Sequence, residues 1–142
     1  MAMAAAGYLV HCFDLSAIGL ARIGQQAHKS GLAKKIKTYQ TDVRDIEFPS
    51  GGIDLIVATT ILDHLPESDA QNVWGRMLSG LNLWGVLYVE VHTVDDPGCA
   101  ECPQKFQDAP VSETADAVET YFRPNQLVNW ALRKDAGLRT LH

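Results

Sequence analysis

The sequence predicts an α/β fold with a doubly wound, mainly parallel sheet. Short apolar or β-branched segments alternate with helical patterns, and this alternation favours right-handed βαβ crossovers. The chain has 142 residues, of which 46% are hydrophobic and 20% charged, the composition of an ordinary globular domain. We therefore expect a single domain over residues 1–142, with an irregular insertion over residues 94–121 where prolines and acidic residues cluster.

The predicted strands are apolar and bounded by Gly, Asp or Ser, as is typical of strands covered on both faces. They cover residues 8–13, 36–40, 53–58 and 86–92. After the first strand, Ser16 is placed to cap a helix that reaches His28, and Gly31 is placed to end it. The apolar face of this helix is expected to hold Ala17, Leu20, Ala21, Gly24 and Ala27.

Residues typical of helix ends predict two more helices. Pro66 precedes Ser68 and Gln71, which have the spacing of a capping box. An apolar stripe at helical spacing continues from there through Ala70, Val73, Trp74, Met77, Leu78 and Leu81. The last helix is expected from Pro124, a residue suited to the first helical position, to Gly137, a residue suited to the position after the last turn.

Charge and cysteine content exclude several classes of function. The net charge of −5 argues against a nucleic-acid partner, because binding to a phosphate backbone needs clustered Lys and Arg. No apolar run approaches the roughly 20 residues that span a bilayer, so we expect no membrane association. An odd count of 3 cysteines, with no secretory signal, is typical of a reducing compartment, and we expect a cytoplasmic protein.

Two aspartates follow predicted strands, where ligands bind in parallel α/β sheets. Asp14 could accept the hydroxyls of a ribose, or it could cap the following helix through nearby amides. Asp42 could accept a hydrogen bond from an exocyclic amine at the same edge, or form a turn with Arg44.

Other polar residues have both a functional and a local interpretation. Thr59 and Thr60 end the third predicted strand at the carboxyl edge. His64 is a weak candidate for a general base, and the alternative is a histidine that hydrogen-bonds locally. Cys99 and Cys102 have CxxC spacing, but a zinc site would need two further ligands such as His92 and Cys12, so we expect an incidental pair and no metal.

A set of short motifs resembles the class I S-adenosylmethionine-dependent methyltransferases, of the tellurite-resistance and small-molecule type. The motifs lie between residues 7 and 137 and keep the order of that family. They are Gly7-Tyr8 with Asp14-Leu15-Ser16, Asp42-Val43, Phe48 with Asp54-Leu55-Ile56, His64-Leu65, Leu81 with Gly85-Val86-Leu87, and Tyr121-Phe122 with Leu127.

The resemblance implies a Rossmann-like fold and S-adenosylmethionine as the cofactor. It assigns ribose binding to Asp14 and the adjacent Leu15, and adenine contacts to Asp42 and Val43. It places Ala58, Thr59 and Thr60 on the methyl-transfer face. The implied reaction is transfer of a methyl group to a small molecule.

The chain departs from the family pattern at three places. The first strand with its Gly-x-Gly loop is missing, the last strands are missing, and Leu83-Trp84-Gly85 stands where the family has Pro-Gly-Gly. The third departure is tolerable if Trp84 packs on a neighbour. We therefore expect a sheet truncated at both ends, and an alternative function as a non-catalytic oligomeric or binding module. Strands that lack a neighbour favour a homodimer or higher homo-oligomer, although two strands could instead close directly on each other.

Overall fold

The computed structural model describes residues 1–97, 99 and 120–132. The chain divides into two compact units, residues 1–46 and 47–142. The α/β class predicted from the sequence is confirmed, because every described strand pairs in parallel with another. The strands form two two-stranded sheets, one in each unit. Among the described residues, no helix has the length and hydropathy needed to cross a bilayer.

The first unit packs two helices on one parallel sheet. Its elements are α1 (Ala2–Ala5), β1 (Val10–Asp14), α2 (Ala17–Lys29), β2 (Ile36–Gln40) and a 3-10 turn over Val43–Asp45. The pairing register runs from Val10 opposite Ile36 to Asp14 opposite Gln40. Its core consists of Ala4, Ala27 and Ile36, with Val10, Cys12, Ile23 and Leu32 packed against them.

Helix α2 begins and ends where the sequence predicts. The Ser16 hydroxyl accepts a hydrogen bond from the Gly19 amide at 3.0 Å, which satisfies one of the free amides of the first turn. At the other end, Gly31 has a φ of +69°, the left-handed conformation that follows many helices. The predicted face was wrong in part: Leu20 and Ala27 are buried and Ile23 packs with them, whereas Ala21 and Gly24 are exposed.

The second unit contains the longer sheet. Its elements are β3 (Ile53–Thr59), a 3-10 turn over Leu62–His64, α3 (Glu67–Gly80), β4 (Leu81–Glu90) and α4 (Gln126–Leu132). Helix α3 buries the predicted residues Ala70, Val73, Trp74 and Met77. Leu81 was predicted to extend that helix but begins β4, so the helix passes into the strand without a loop.

The predicted capping box at the start of α3 was wrong. The capping position is Pro66, and no side chain makes a cap hydrogen bond there. Gln71 instead donates to the Glu67 carboxylate at 3.3 Å, one turn away. Pro66 has an extended ψ of 147° and directly precedes the first helical residue, Glu67. Ser68 therefore lies inside the first turn and not at the capping position.

Trp84 is largely exposed in the described part of the chain, whereas the interpretation of the sequence required it to pack on a neighbour. Its side chain is 83% exposed, and its φ of +69° lies in the region that favours glycine. The next residue, Gly85, sits where a Cβ would come within 2.9 Å of the Asn82 carbonyl oxygen. The backbone bends here, and the β3–β4 register shifts between Ile53 and Leu55.

Each sheet buries one of its faces in the described part of the chain, although the sequence predicts strands covered on both. In β3 and β4 the alternate residues Leu55, Val57, Val86 and Tyr88 are between 36% and 51% exposed. In the first unit His11, Phe13 and Tyr39 lie on the exposed face. The reason is that the described helices of each unit pack on one side of its sheet.

Two predicted regions lie largely outside the described residues. The end of the last predicted helix, including Gly137, falls there, and so does Cys102. Most of the irregular insertion predicted for residues 94–121 falls there as well.

Candidate functional site

Asp14 ends β1 at the carboxyl edge of the first sheet, as the sequence predicts. Its Oδ1 accepts a hydrogen bond from the Ser16 amide at 2.7 Å, so the predicted local role near the start of α2 is present. Its Oδ2 makes no hydrogen bond within the part of the chain that the structure describes, and the residue is exposed. A carboxylate has about four acceptor positions, so the helix contact leaves Asp14 able to accept hydroxyl groups.

Asp42 lies at the same edge as Asp14. The Thr41 amide donates to the Asp14 carbonyl at 3.2 Å, which continues the strand ladder up to the residue before Asp42. Leu15 is joined to β2 because the Gln40 side-chain amide donates to its carbonyl at 3.2 Å. The Leu15 side chain itself is 62% exposed.

The turn between Asp42 and Arg44, one of the two interpretations of Asp42, is present. Asp42 Oδ1 accepts from the Arg44 amide at 2.8 Å and from Arg44 Nε at 2.9 Å, and Oδ2 accepts from Nη2 at 2.7 Å. The hydrogen bond from the Arg44 guanidinium is the main reason that the pKa of Asp42 is lowered. Asp42 therefore stays ionised and holds the turn that contains Val43, which is partly buried.

An aromatic row adjoins these two aspartates. The Phe13 and Tyr39 rings stack with centroids 4.9 Å apart, and the His11 and Tyr39 rings stack at 5.5 Å. Phe13 and Tyr39 are register partners one step before Asp14. Because their faces are 38% and 37% exposed, they offer flat apolar surface next to polar acceptors.

A cavity of about 300 Å³ lies on the other side of this sheet. Its lining includes Val10, Cys12, Arg22, Ile23 and Ile36, so neither Asp14 nor Asp42 contributes to it. Burial is the main reason that the pKa of the Cys12 thiol is raised. A raised thiol pKa opposes the thiolate form that zinc requires.

In the second unit, Thr59 and Thr60 lie at the carboxyl edge of β3, as expected. Thr60 has a φ of +49°, and its amide donates to the Glu90 carbonyl at 2.9 Å, which joins the ends of the two strands. His64 lies in the 3-10 turn that follows, where its amide donates to the Ile61 carbonyl at 3.3 Å. This bond belongs to the backbone and tests neither interpretation of the His64 side chain.

Asp63 and His92 form a polar pair in this unit. Asp63 is 0% exposed, and its Oδ2 lies 2.6 Å from His92 Nδ1. The His92 amide also approaches Oδ2, at 3.4 Å, and the His92 side chain is 40% exposed. The other carboxylate oxygen, Oδ1, is buried and has no hydrogen-bond partner among the described atoms. A buried carboxylate costs several kcal/mol without compensation, so Asp63 depends on His92.

Residues 120–122 hold this pair in place. The Thr120 amide donates to the Asp63 carbonyl at 2.6 Å, and the Phe122 amide donates to the His92 carbonyl at 2.9 Å. The Tyr121 ring lies 6.3 Å from the His92 ring. Phe122 is 1% exposed and packs edge-on against Trp130 of α4, so the segment of residues 120–122 is anchored in the core.

The sequence interpretation did not pair Asp63 with His92. Asp63 was not singled out, and His92 was considered only as a zinc ligand. The available signal was that Asp63 comes after one predicted strand and His92 ends another, at the edge where parallel sheets place ligands. Cys99 is a free thiol, and the residues described include no cluster of three or more metal-ligating side chains.

Comparison with known proteins defines the class. A family model described as a methyltransferase domain matches residues 1–85. This match covers more than half of the chain, and the protein therefore belongs to the methyltransferase domain family. Members of this family generally bind S-adenosylmethionine. No curated protein matches the chain.

Solved structures share the fold. The cyclase SpnF superposes with a TM-score of 0.64 at 18% identity, over 92% of this chain and 42% of that one. A structure described as a possible exported protein from Bordetella parapertussis superposes with a TM-score of 0.53 at 20% identity, over 66% of this chain and 30% of that one. The chain thus spans less than half the length of either structure. Both similarities support a Rossmann-like methyltransferase fold.

Proposed function

We propose that this chain is an S-adenosylmethionine-dependent methyltransferase domain that acts on a small molecule. The observation that carries the proposal is the exposed Asp14 carboxylate at the carboxyl edge of a parallel strand, with Oδ2 available as an acceptor. When bound, the cofactor supplies an electrophilic methyl group on a sulfonium. Alignment of an acceptor with that methyl group provides most of the catalysis in such transfers.

The acceptor groups and apolar side chains at the carboxyl edge of the first unit fit a nucleoside. Asp14 can accept the two ribose hydroxyls, and the exposed Leu15 offers apolar contact beside it. Asp42 still has acceptor positions beyond its bonds to Arg44, and Val43 follows it in the same turn. In the second unit, the proposal gives Thr59 and Thr60 a role near the transferred methyl group and keeps His64 as a weaker candidate base. The free thiols Cys12 and Cys99 suit a reducing compartment, so the proposal places the protein in the cytoplasm.

The second candidate is a non-catalytic oligomeric or binding module on the same fold. The exposed apolar face of β3 and β4 favours it, since parallel sheets are ordinarily covered on both faces. The two candidates differ in one measurable property, which is whether the protein binds the cofactor.

Titration calorimetry of the full chain with S-adenosylmethionine and with S-adenosylhomocysteine tests the proposal. We expect binding heat with both ligands. Asp14→Ala should weaken affinity more than tenfold, because it removes a charged acceptor worth about 1.5–3 kcal/mol. The matched control is Asp45→Ala, which removes an exposed carboxylate from the same unit and should leave affinity within about twofold.

Two outcomes would contradict the proposal. Absence of heat and of any melting shift with either ligand would favour the non-catalytic module. Equal loss of affinity in the Asp14 and Asp45 variants would show a general charge effect, which removes the case for ribose binding at Asp14.

A further inference from the structure

We propose that His92 is the base of the acceptor site, and that the Asp63 carboxylate holds its ring so that Nε2 accepts a proton from a hydroxyl-bearing small molecule. The inference rests on the proposed methyl transfer and deepens it by naming the acceptor class. It assigns a proton-accepting role to His92 and a positioning role to Asp63.

The geometry fixes which nitrogen is available. Asp63 Oδ2 lies 2.6 Å from His92 Nδ1, and a carboxylate accepts hydrogen bonds only, so the proton of the neutral ring lies on Nδ1. Nε2 then carries the lone pair. No described hydrogen bond involves Nε2, and the His92 side chain is 40% exposed.

Because Asp63 is buried, its carboxylate interacts mainly with His92. Its side chain is 0% exposed, and Oδ1 has no partner in the described part of the chain, so the negative charge acts mainly on the His92 ring. The pair thus joins a fully buried carboxylate to a histidine side chain that is 40% exposed.

The position of the pair agrees with an acceptor site. Asp63 follows β3, and His92 lies two residues beyond the end of β4, so both stand at the carboxyl edge of the sheet with Thr59 and Thr60. The Phe122 amide donates to the His92 carbonyl, and the Tyr121 ring lies 6.3 Å from the His92 ring, so this segment restrains His92. A base within one hydrogen bond of its substrate needs this kind of restraint.

The need for a base favours a hydroxyl acceptor over a carboxylate. Alcohols and phenols keep their proton near neutral pH, whereas carboxylates have already lost it, so only the former gain from Nε2. The hydroxyl O–H bond breaks, the proton binds Nε2, and the electron pair stays on the oxygen. That oxygen forms the bond to the methyl carbon while the carbon–sulfur bond breaks, and the pair of that bond stays on the sulfur.

Nitrogen-15 NMR of the uniformly labelled full chain tests the ring assignment without cofactor. We expect the His92 resonances, identified by their loss in His92→Gln, to show a protonated Nδ1 and a bare Nε2. In Asp63→Asn, the new side-chain amide donates to Nδ1. Nδ1 then becomes the acceptor, so the ring proton should move to Nε2. His28→Gln, an exposed histidine at the end of α2, is the matched control and should leave the His92 signals unchanged. A protonated Nε2 in the wild-type protein overturns the assignment, even if the Asp63 variant does not fold.

Titration with phenol, the hydroxyl probe, tests the acceptor class. We expect a saturable shift of the His92 Nε2 resonance at millimolar phenol, and no such shift with benzoate. Absence of a phenol shift, or an equal shift with benzoate, overturns the hydroxyl assignment. Calorimetry with S-adenosylmethionine on the same sample separates the two proposals: a chain that shows the expected His92 signals but no cofactor heat contradicts the methyltransferase proposal alone.

Discussion

At the scale of single residues, two aspartates with similar sequence positions have different surroundings. Asp14 ends β1 and keeps one carboxylate oxygen free of described bonds, whereas Asp42 bonds to Arg44 through both oxygens. The local sequence explains the difference, because Arg44 lies two residues after Asp42 and a serine lies two residues after Asp14. The first aspartate is therefore better suited to a ligand, and the second to holding a turn.

The Asp42–Arg44 pair predicts a pH-dependent stability. The pKa of Asp42 is lowered below its ordinary value of 3.8, so its contribution is present above that value and is lost as pH falls through the folded-state pKa. Asp42→Asn should lower the free energy of unfolding by about 0.5–1 kcal/mol near neutral pH, since a part-exposed pair is partly screened by solvent. The difference from wild type should vanish well below pH 4.

Urea unfolding at both pH values measures this effect. Asp45→Asn serves as the control, because it removes a carboxylate of the same turn without removing the described bonds to Arg44. A wild-type advantage over Asp42→Asn that persists in acid would show that the pair does not stabilise the folded state through the carboxylate charge.

At the scale of elements, the two long helices begin in different ways. The Ser16 hydroxyl caps α2 with a 3.0 Å hydrogen bond, whereas α3 begins after Pro66 with no side-chain cap. The same residue type, serine, was predicted to cap both. The difference follows from the residue at the capping position, because the Pro66 side chain has no hydrogen-bonding group.

Alanine substitutions at the two serines separate these cases. Ser16→Ala should lower the free energy of unfolding by about 1 kcal/mol, because the Gly19 amide loses its acceptor. Ser68→Ala should change it by less than about 0.5 kcal/mol, as for an ordinary exposed position. Chemical denaturation measures both; an equal loss in the two variants would mean that Ser68 caps α3 in solution.

At the scale of the whole molecule, the feature to explain is the exposed apolar face of β3 and β4. Val57 and Tyr88 are register partners on this face and are 49% and 51% exposed. Apolar sheet faces of this kind are usually covered by another part of a protein or by a second copy. We keep the expectation of a homodimer or higher homo-oligomer as a proposal on this ground.

Sedimentation velocity at micromolar concentration tests the oligomer. We expect a dimer or larger species for the wild-type chain and a shift towards monomer in Val57→Asp, because a charge cannot be buried in an apolar interface without cost. Ile18→Asp, which places the same charge on a 70% exposed residue of α2, should leave the association state unchanged. A compact, stable wild-type monomer would exclude the oligomer.

The sequence determined the elements and much of the candidate cofactor site. Alternating apolar segments and caps located β2 at its observed bounds and α2 within one residue, because strand and helix periodicity are local properties. Asp14 and Asp42 could be placed at one sheet edge for the same reason, since each follows a parallel strand. The position of a residue can be predicted from the sequence when it depends only on residues nearby along the chain.

Tertiary structure decided what depends on distant contacts. It paired Asp63 with His92, which lie 2.6 Å apart at Oδ2 and Nδ1 although a helix and a strand separate them in the sequence. It also buried the Leu20, Ile23 and Ala27 side of α2, and left Trp84 exposed with a positive φ. The physical reason is that burial and side-chain pairing depend on which surfaces meet after folding, and no local pattern of residues specifies those surfaces.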